Sequence, residues 1–376
     1  MDFLQGVWNY GVMFLVVLTV LVFVHELGHY LAARRNGVRV DVFSIGFGPE
    51  LWGFTDARGT RWKFSLVPLG GYVRMFGDAD AASRPGDVRE MTPEERAVSF
   101  HHKRVGQRAV VVAAGPLANF AFAIVALALL FTLYGQPFTP PVIQTVNADG
   151  AAAEAGMEGG DRIVEINGSR IERFEQILQT VVLSPGVPLE MVVDRNGERI
   201  PLTVTPRAVQ RTDRFGNVQT IGQLGVFRGA DEYKRRDPVS ALWEAGKETV
   251  NLTVGTIAAV GQMIDGTRGT EELGGPLRIA QMSGQVAQIG FVPMVWFTAI
   301  LSINLGLINL FPIPMLDGGH LLFYAIEAAR GRPLGERAQE YGFRLGLALV
   351  LTLMVFATWN DLVHLRVVEF FVGLVS

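Results

Sequence analysis

Two histidines and a glutamate at the end of an apolar stretch are the residues of this sequence best suited to chemistry. His25, Glu26 and His29 form H-E-x-x-H within VFVHELGHYLAARR. On a helix, positions i and i+4 share a face, so His25 and His29 can each offer a ring nitrogen to one zinc ion. Glu26, one residue along, can reach a water on that ion without entering the coordination sphere, which is the geometry of a general base. Ionisable groups at the end of a membrane-length apolar run are costly there and point to a functional site. A catalytic zinc takes three protein ligands and keeps a fourth position open. The chain has no cysteine, so the remaining ligand must be His, Asp or Glu. Asp317 in NLFPIPMLDGGH is the best candidate, with His320 as its rival. Pro312 and Pro314 break the helix there and Gly318-Gly319 loosens the backbone. Irregular backbone at membrane depth is tolerated only where protein buries it or where it lines a cavity.

The elements that must bring these groups together are membrane helices. The chain is 49% hydrophobic and 18% charged, with a mean hydropathy of +0.29, which favours a membrane protein. A net charge of −3 without any basic tract sets nucleic acid aside as a partner. Residues 3–24, 109–148 and 281–316 carry no charge, and 345–360 form a shorter apolar run. A spanning helix needs about 20 mostly apolar residues, so we expect four transmembrane helices. Asp2 in place of a basic start, and His-Glu in place of a small-residue cleavage site, argue against a signal peptide.

Basic residues gather on the cytoplasmic side of membrane helices. Arg34, Arg35, Arg39, Arg58, Arg61, Lys63, Arg74, Lys103, Arg104 and Arg108 lie between the first two helices, and Arg330, Arg332, Arg337 and Arg344 between the last two. Both connections are therefore expected in the cytoplasm, with both termini and the 135–280 region outside. The first and third helices then run in the same direction and deliver His29 and Asp317 to one depth.

The domain order expected is as follows: a first helix with H-E-x-x-H over 1–36, then a cytoplasmic-side, membrane-associated β element and loop over 37–107. A second helix covers 108–135 and an extracytoplasmic β-rich domain 136–236. An amphipathic interfacial helix and linker cover 237–280, the third helix with Asp317 covers 281–330, and the fourth helix and C-terminus cover 331–376. In 136–236, short β-branched runs alternate with Gly and Asn turns, a helix is expected near Phe174–Val182, and Asn196-Gly197 is a hairpin signal. The pattern AGMEGGDRIVEING followed by a helix and a hairpin resembles a PDZ domain of the bacterial, membrane-protease type, which binds extended peptides or chain ends by strand addition. The fold class expected is thus a polytopic α-helical membrane protein with a membrane-associated β-hairpin and one inserted PDZ-like α+β domain.

HELGH in the first helix, GPLAN (Gly115–Asn119) in the second and N-x-F-P-x-P-x-L-D-G-G at the end of the third, with a PDZ-like domain between, resemble the site-2 protease family of intramembrane zinc metalloproteases. The chain is most similar to the regulator-of-sigma-E protease group, over nearly its whole length. The resemblance implies that His25, His29 and Asp317 hold zinc, that Glu26 is the catalytic base, and that Asn309 holds substrate backbone beside the site. It implies substrates that are single-pass membrane proteins already trimmed by a site-1 protease, such as anti-sigma factors, or signal-peptide remnants. Some relatives carry tandem PDZ domains, whereas this chain has room for one. A peptide bond inside a helix is shielded, so a substrate must be unwound, and the alternating segment 38–76 can serve as a strand-edge clamp. That reading assigns substrate contact to Phe43, Ser44, Ile45, Gly46, Gly71 and Tyr72. Two rival functions remain from the residues alone: a membrane-anchored PDZ adaptor with a structural zinc, which leaves Glu26 without a task, and a metal or proton carrier using Asp317, which calls for more polar residues along the helices.

Overall fold

Arg34 and Arg35, placed against the negative end of a helix dipole, close the first apolar run as one helix, α1 (Asp2–Arg35). The computed structural model describes residues 2–78, 91–212, 218–229, 232–264 and 274–364. The chain divides into two compact units, Met1–Leu130 with Pro238–Ser376, and Phe131–Asp237.

In the first unit, α1 leads into two long strands, β1 (Val40–Thr55) and β2 (Arg61–Met75). Their pairing is more elaborate than a hairpin. Residues 61–65 pair with 50–55 on one side and with 42–45 on the other, while 71–75 return to pair with 40–45. The segments therefore lie in the order 71–75, 40–45, 61–65, 50–55. Gly46 and Gly70, at φ 89 and φ 123, supply the bends this folding-over needs. A short helix α2 (Pro93–Val98) starts in a capping box between Thr92 and Glu95. It is followed by the long helix α3 (Val105–Leu133), which carries Pro116 in its interior. Tyr30, Ala33, Val40, Phe43, Val73, Phe100 and Val111 share one buried cluster, which anchors the end of α1 between the sheet and α3.

The second unit contains β3 (Gln136–Phe138), β4 (Ile143–Val146), α4 (Ala151–Glu154), β5 (Arg162–Ile166), β6 (Ser169–Arg170), α5 (Phe174–Val182), β7 (Leu189–Arg195), β8 (Glu198–Val204), β9 (Arg207–Thr212), β10 (Val218–Gln223), β11 (Val226–Arg228) and β12 (Glu232–Lys234). Its main sheet has the antiparallel order β6-β5-β7-β8, and β11 pairs with β4. Asn196 and Gly197, both at positive φ, form the expected two-residue turn between β7 and β8. Phe174, Ile177 and Val181 of α5 fall on one face and bury against Ile163, Leu189 and Met191.

The chain then returns to the first unit through α6 (Pro238–Ile264), α7 (Pro276–Ile289), α8 (Phe291–Leu310), α9 (Asp317–Arg330) and α10 (Glu336–His364). Among the described residues, four stretches are long and apolar enough to cross a membrane: Tyr10–Arg35, Val105–Leu133, Phe291–Leu310 and Arg337–Leu362. The α6 helix is not one of them, and it buries the stripe Ala241, Ala245 and Thr249. The uncharged stretch 281–316, by contrast, is not one helix as the sequence suggests. Gly290, at φ 140, separates α7 from α8, and the residues from Asp317 onward form the separate helix α9. The break falls inside an uncharged stretch because Gln281, Ser283 and Gln285 make this part of α7 polar without adding charge. Its N-terminal N–H groups, at Gly275, Leu277 and Arg278, donate to the buried Asp361 carboxylate of α10 at 2.8, 3.0 and 3.1 Å, which supplies the cap that its own sequence lacks.

Candidate active site

The helices α1 and α3 cross closely because small residues meet at the crossing. A Cβ at Gly28 would lie 2.3 Å from the Ala114 carbonyl oxygen, and one at Gly115 would lie 2.2 Å from His29 Nε2. The helices run antiparallel, with His29 opposite Gly115 and His25 opposite Asn119. His29 Nδ1 lies 2.9 Å from the Val111 carbonyl oxygen. A carbonyl only accepts, so Nδ1 carries the proton and the Nε2 lone pair is left for a metal. Pro116 has no N–H to donate along the helix, which loosens the carbonyl ladder of this turn.

Asp317 comes from the other direction. The chain leaves α8 at Leu310, turns through Phe311-Pro312-Ile313-Pro314-Met315 and re-enters a helix at Asp317. The turn is tight enough that a Cβ at Gly318 would sit 2.2 Å from the Phe311 carbonyl oxygen, and one at Gly319 would sit 2.4 Å from that of Ile313. Met315 is held at φ 89, a left-handed conformation that a non-glycine residue adopts only under constraint. The result is a carboxylate at the N-terminus of α9, where the helix dipole favours negative charge.

His25, His29 and Asp317 meet. Their closest atoms are separated by 3.2 Å (His25 Nε2 to His29 Nε2), 3.1 Å (His25 Nε2 to Asp317 Oδ2) and 3.5 Å (His29 Nε2 to Asp317 Oδ2). Ligands about 2.0–2.1 Å from a tetrahedral zinc lie about 3.3 Å from one another, so this triangle has the right size for the ion. Asp317 Oδ2 is a buried oxygen that receives no well-aligned hydrogen bond although both Nε2 atoms lie within 3.5 Å of it, the arrangement of three ligand atoms turned toward one shared ion rather than toward each other. Among the described residues this is the one group of three such side chains that close together, and His320 is not in it.

A cavity of about 200 Å³ opens on the triad, lined also by Glu26, Gly71, Tyr72, Asn309, Met315 and His320. The sheet segment 71–75 forms one wall, with the Val73 backbone N–H facing the Glu26 carboxylate. The residues expected to contact substrate divide. Gly71, Tyr72 and Asn309 line the cavity, whereas Phe43, Ser44, Ile45 and Gly46 do not. Phe43 is stacked on Trp62 in the core, and Ser44 is spent on Gly46 and Ser65. The reason is register: 42–45 is an inner segment paired on both sides, and 71–75 is the edge beside α1, with 50–55 at the opposite edge. Gly115 and Asn119, the two ends of the GPLAN motif, are not among the residues the sequence assigns to the site, yet they face His29 and His25.

Against known proteins, the model of Peptidase family M50 matches residues 13–353. The chain belongs to Peptidase family M50. Relatives include a protein of Agrobacterium fabrum named as a zinc metalloprotease, 48% identical over 96% of each chain. Metalloprotease MmpA of Caulobacter vibrioides is 39% identical, covering 96% of this chain and 97% of that one. Regulator of sigma-E protease RseP of Salmonella typhimurium is 34% identical, covering 95% and 99%. The RseP alignment runs over 459 positions against the 376 residues here, so that relative carries segments this M50 member lacks. Among solved structures, the PDZ domain of the SdrC-like protein of Listeria innocua is 15% identical, covers 25% of this chain and 98% of that one, and has a TM-score of 0.20. This M50 protein is a zinc metalloprotease.

Proposed function

We propose that this protease is an intramembrane endopeptidase in which His25, His29 and Asp317 hold the zinc and Glu26 is the general base. The observation that carries the reading is the convergence of three ligand atoms, from two stretches far apart in sequence, beside a glutamate in one cavity. When bound there, zinc supplies an acidified water and a Lewis acid for the scissile carbonyl. Glu26 takes the proton of the attacking water and returns it to the leaving amide nitrogen, with no covalent enzyme intermediate. Asn309, on the cavity wall, is placed to hold substrate backbone. The substrate is unwound and added as a strand along the outer edge of 71–75, beside Gly71 and Tyr72, to which no described strand pairs.

The substrates are single-pass membrane proteins, such as anti-sigma factors or signal-peptide remnants, handed on by a site-1 protease in regulated intramembrane proteolysis. The basic residues flanking the helices support an inner-membrane orientation with the active site toward the cytoplasm and residues 136–236 outside. In that second unit, β11 pairs with β4 and, among the described residues, with no other strand, and a cavity of about 470 Å³ is lined by α5, by Val209 and Gln210 and by residues 221–227. A strand-sized slot of this kind supports a PDZ-like role in sensing substrate chain ends. The deciding experiment is Glu26→Gln in a reconstituted cleavage assay with metal analysis. Retained zinc with cleavage lost supports the protease mechanism, and undiminished cleavage defeats it.

A further inference from the structure

Of the two histidines, only His29 has an orienting partner whose chemistry is fixed, the Val111 carbonyl. Opposite His25 stands an amide, with Asn119 Nδ2 placed 3.1 Å from His25 Nδ1. Asn119 is fully buried, and its Oδ1 has no hydrogen-bond partner. A neutral imidazole that gives its Nε2 lone pair to a metal keeps its proton on Nδ1. The arrangement shown therefore sets N–H against N–H and strands an oxygen at the same time. A half-turn of the amide about its Cβ–Cγ bond brings Oδ1 to face His25 Nδ1–H with little displacement of other atoms, since the two ends of an amide are nearly the same size. The NH2 then takes the oxygen's former place, so two opposed donors and a stranded acceptor are exchanged for an amide–imidazole hydrogen bond and an unmatched NH2 group.

We infer that in the zinc-loaded protein Asn119 presents Oδ1 to His25 Nδ1–H and is a positioning residue for the metal, fixing the tautomer and ring orientation of His25. The place of Asn119 in the fold supports the assignment. It lies one helical turn beyond Gly115 on the same face of α3, so the GPLAN turn gives His29 room at Gly115 and gives His25 an acceptor at Asn119. Its backbone is held as well, because Ser302 Oγ of α8 donates to the Asn119 carbonyl at 2.9 Å. An acceptor on a ligating histidine raises ligand basicity, and its removal typically lowers metal affinity about 10–100-fold.

The inference rests on His25 being a zinc ligand, as proposed above, and the test separates the two. Zinc affinity of the full-length, detergent-purified protein is measured by competition with a chromophoric chelator for wild type, Asn119→Leu, Asn119→Asp and His25→Ala. We expect Asn119→Leu to bind about 10–100-fold more weakly, and Asn119→Asp, an acceptor of the same shape, to bind more tightly than Asn119→Leu. Wild-type affinity in Asn119→Leu, or an Asn119→Asp no tighter than Asn119→Leu, overturns the inference. Should Asn119→Leu fail to fold, Asn119→Asp decides alone: binding within about tenfold of wild type supports an acceptor role, and a larger loss refutes it. Undiminished zinc binding in His25→Ala would remove the ligand assignment itself, a failure distinct from that of Asn119.

Discussion

Replacing Gly115 with alanine adds a methyl carbon 2.2 Å from His29 Nε2 and 2.5 Å from its Cε1. Carbon in ordinary contact sits about 3.5–4.0 Å away, so the ring and α3 must separate by more than about 1 Å. Zinc–ligand distances tolerate only about 0.2 Å. The ring has no free rotation with which to escape, because Val111 holds its Nδ1, and Gly28 packs α1 directly on α3. The substitution therefore removes His29 from the coordination sphere while leaving every proposed ligand in the sequence. We expect zinc affinity to fall at least about 100-fold, the upper end of what loss of an orienting partner alone produces, with cleavage falling in parallel. Chelator competition on detergent-purified protein measures the first and a reconstituted cleavage assay the second. Gly255→Ala, where a Cβ meets nothing within 4 Å, is the control for a helix glycine. Zinc binding by Gly115→Ala within about threefold of wild type would refute the reasoning, because a displacement five times the tolerance cannot leave affinity intact.

Other expectations follow from the same geometry. Glu26→Gln should keep zinc and lose about 10²–10⁴-fold in cleavage rate, the usual contribution of a general base, as measured by single-turnover kinetics. Gly346→Ala would place a Cβ 1.9 Å from the Pro314 carbonyl oxygen and push the turn that carries Asp317; zinc stoichiometry should drop, whereas Gly335→Ala, with open space around it, should be silent. Val73→Pro removes an N–H at the cavity wall and should lower kcat/KM about tenfold with zinc content unchanged; unaltered cleavage would remove the strand-edge clamp. In the second unit, burial alone would raise the Asp161 carboxyl, but hydrogen bonds from Arg195 at 2.7 and 2.8 Å and from the Glu158 N–H outweigh it and hold it below its ordinary value. A carboxyl lowered by folding stabilises the folded state above its unfolded value of about 3.9, and that stability is lost as pH falls through the lower, folded value. Calorimetry of the full-length protein should show this unit melting earlier below about pH 4, and Arg195→Met should already cost about 3 kcal/mol at neutral pH by leaving a buried charge unpaired. An Arg195→Met protein as stable as wild type would exclude this account.

Much of the site was legible because its signals are local. The i, i+4 spacing of His25 and His29 needs only helix geometry, and Asp317 follows from counting helix crossings and from the two prolines before it. The hairpin at Asn196-Gly197 is likewise a two-residue signal. What stayed hidden depends on partners distant in sequence. Alternation across 38–76 reveals strands but not that 40–45 is paired on both sides, so it cannot tell Phe43–Ile45, on an inner segment, from Gly71 and Tyr72, on an edge. The start of α7 is capped by Asp361, 84 residues away from Leu277, which no local pattern announces. Gly115 and Asn119 stand out in the sequence as the ends of GPLAN, but which side chains they face emerges only when α1 is laid against them.

Zinc-edge X-ray absorption on the purified, zinc-loaded protein tests the central claim most directly, comparing wild type with Asp317→Ala. The account predicts one zinc per chain with two imidazole nitrogens and at least one oxygen at about 2.0–2.1 Å, and loss of the tightly bound ion in Asp317→Ala. An unchanged spectrum and stoichiometry in that variant would contradict it.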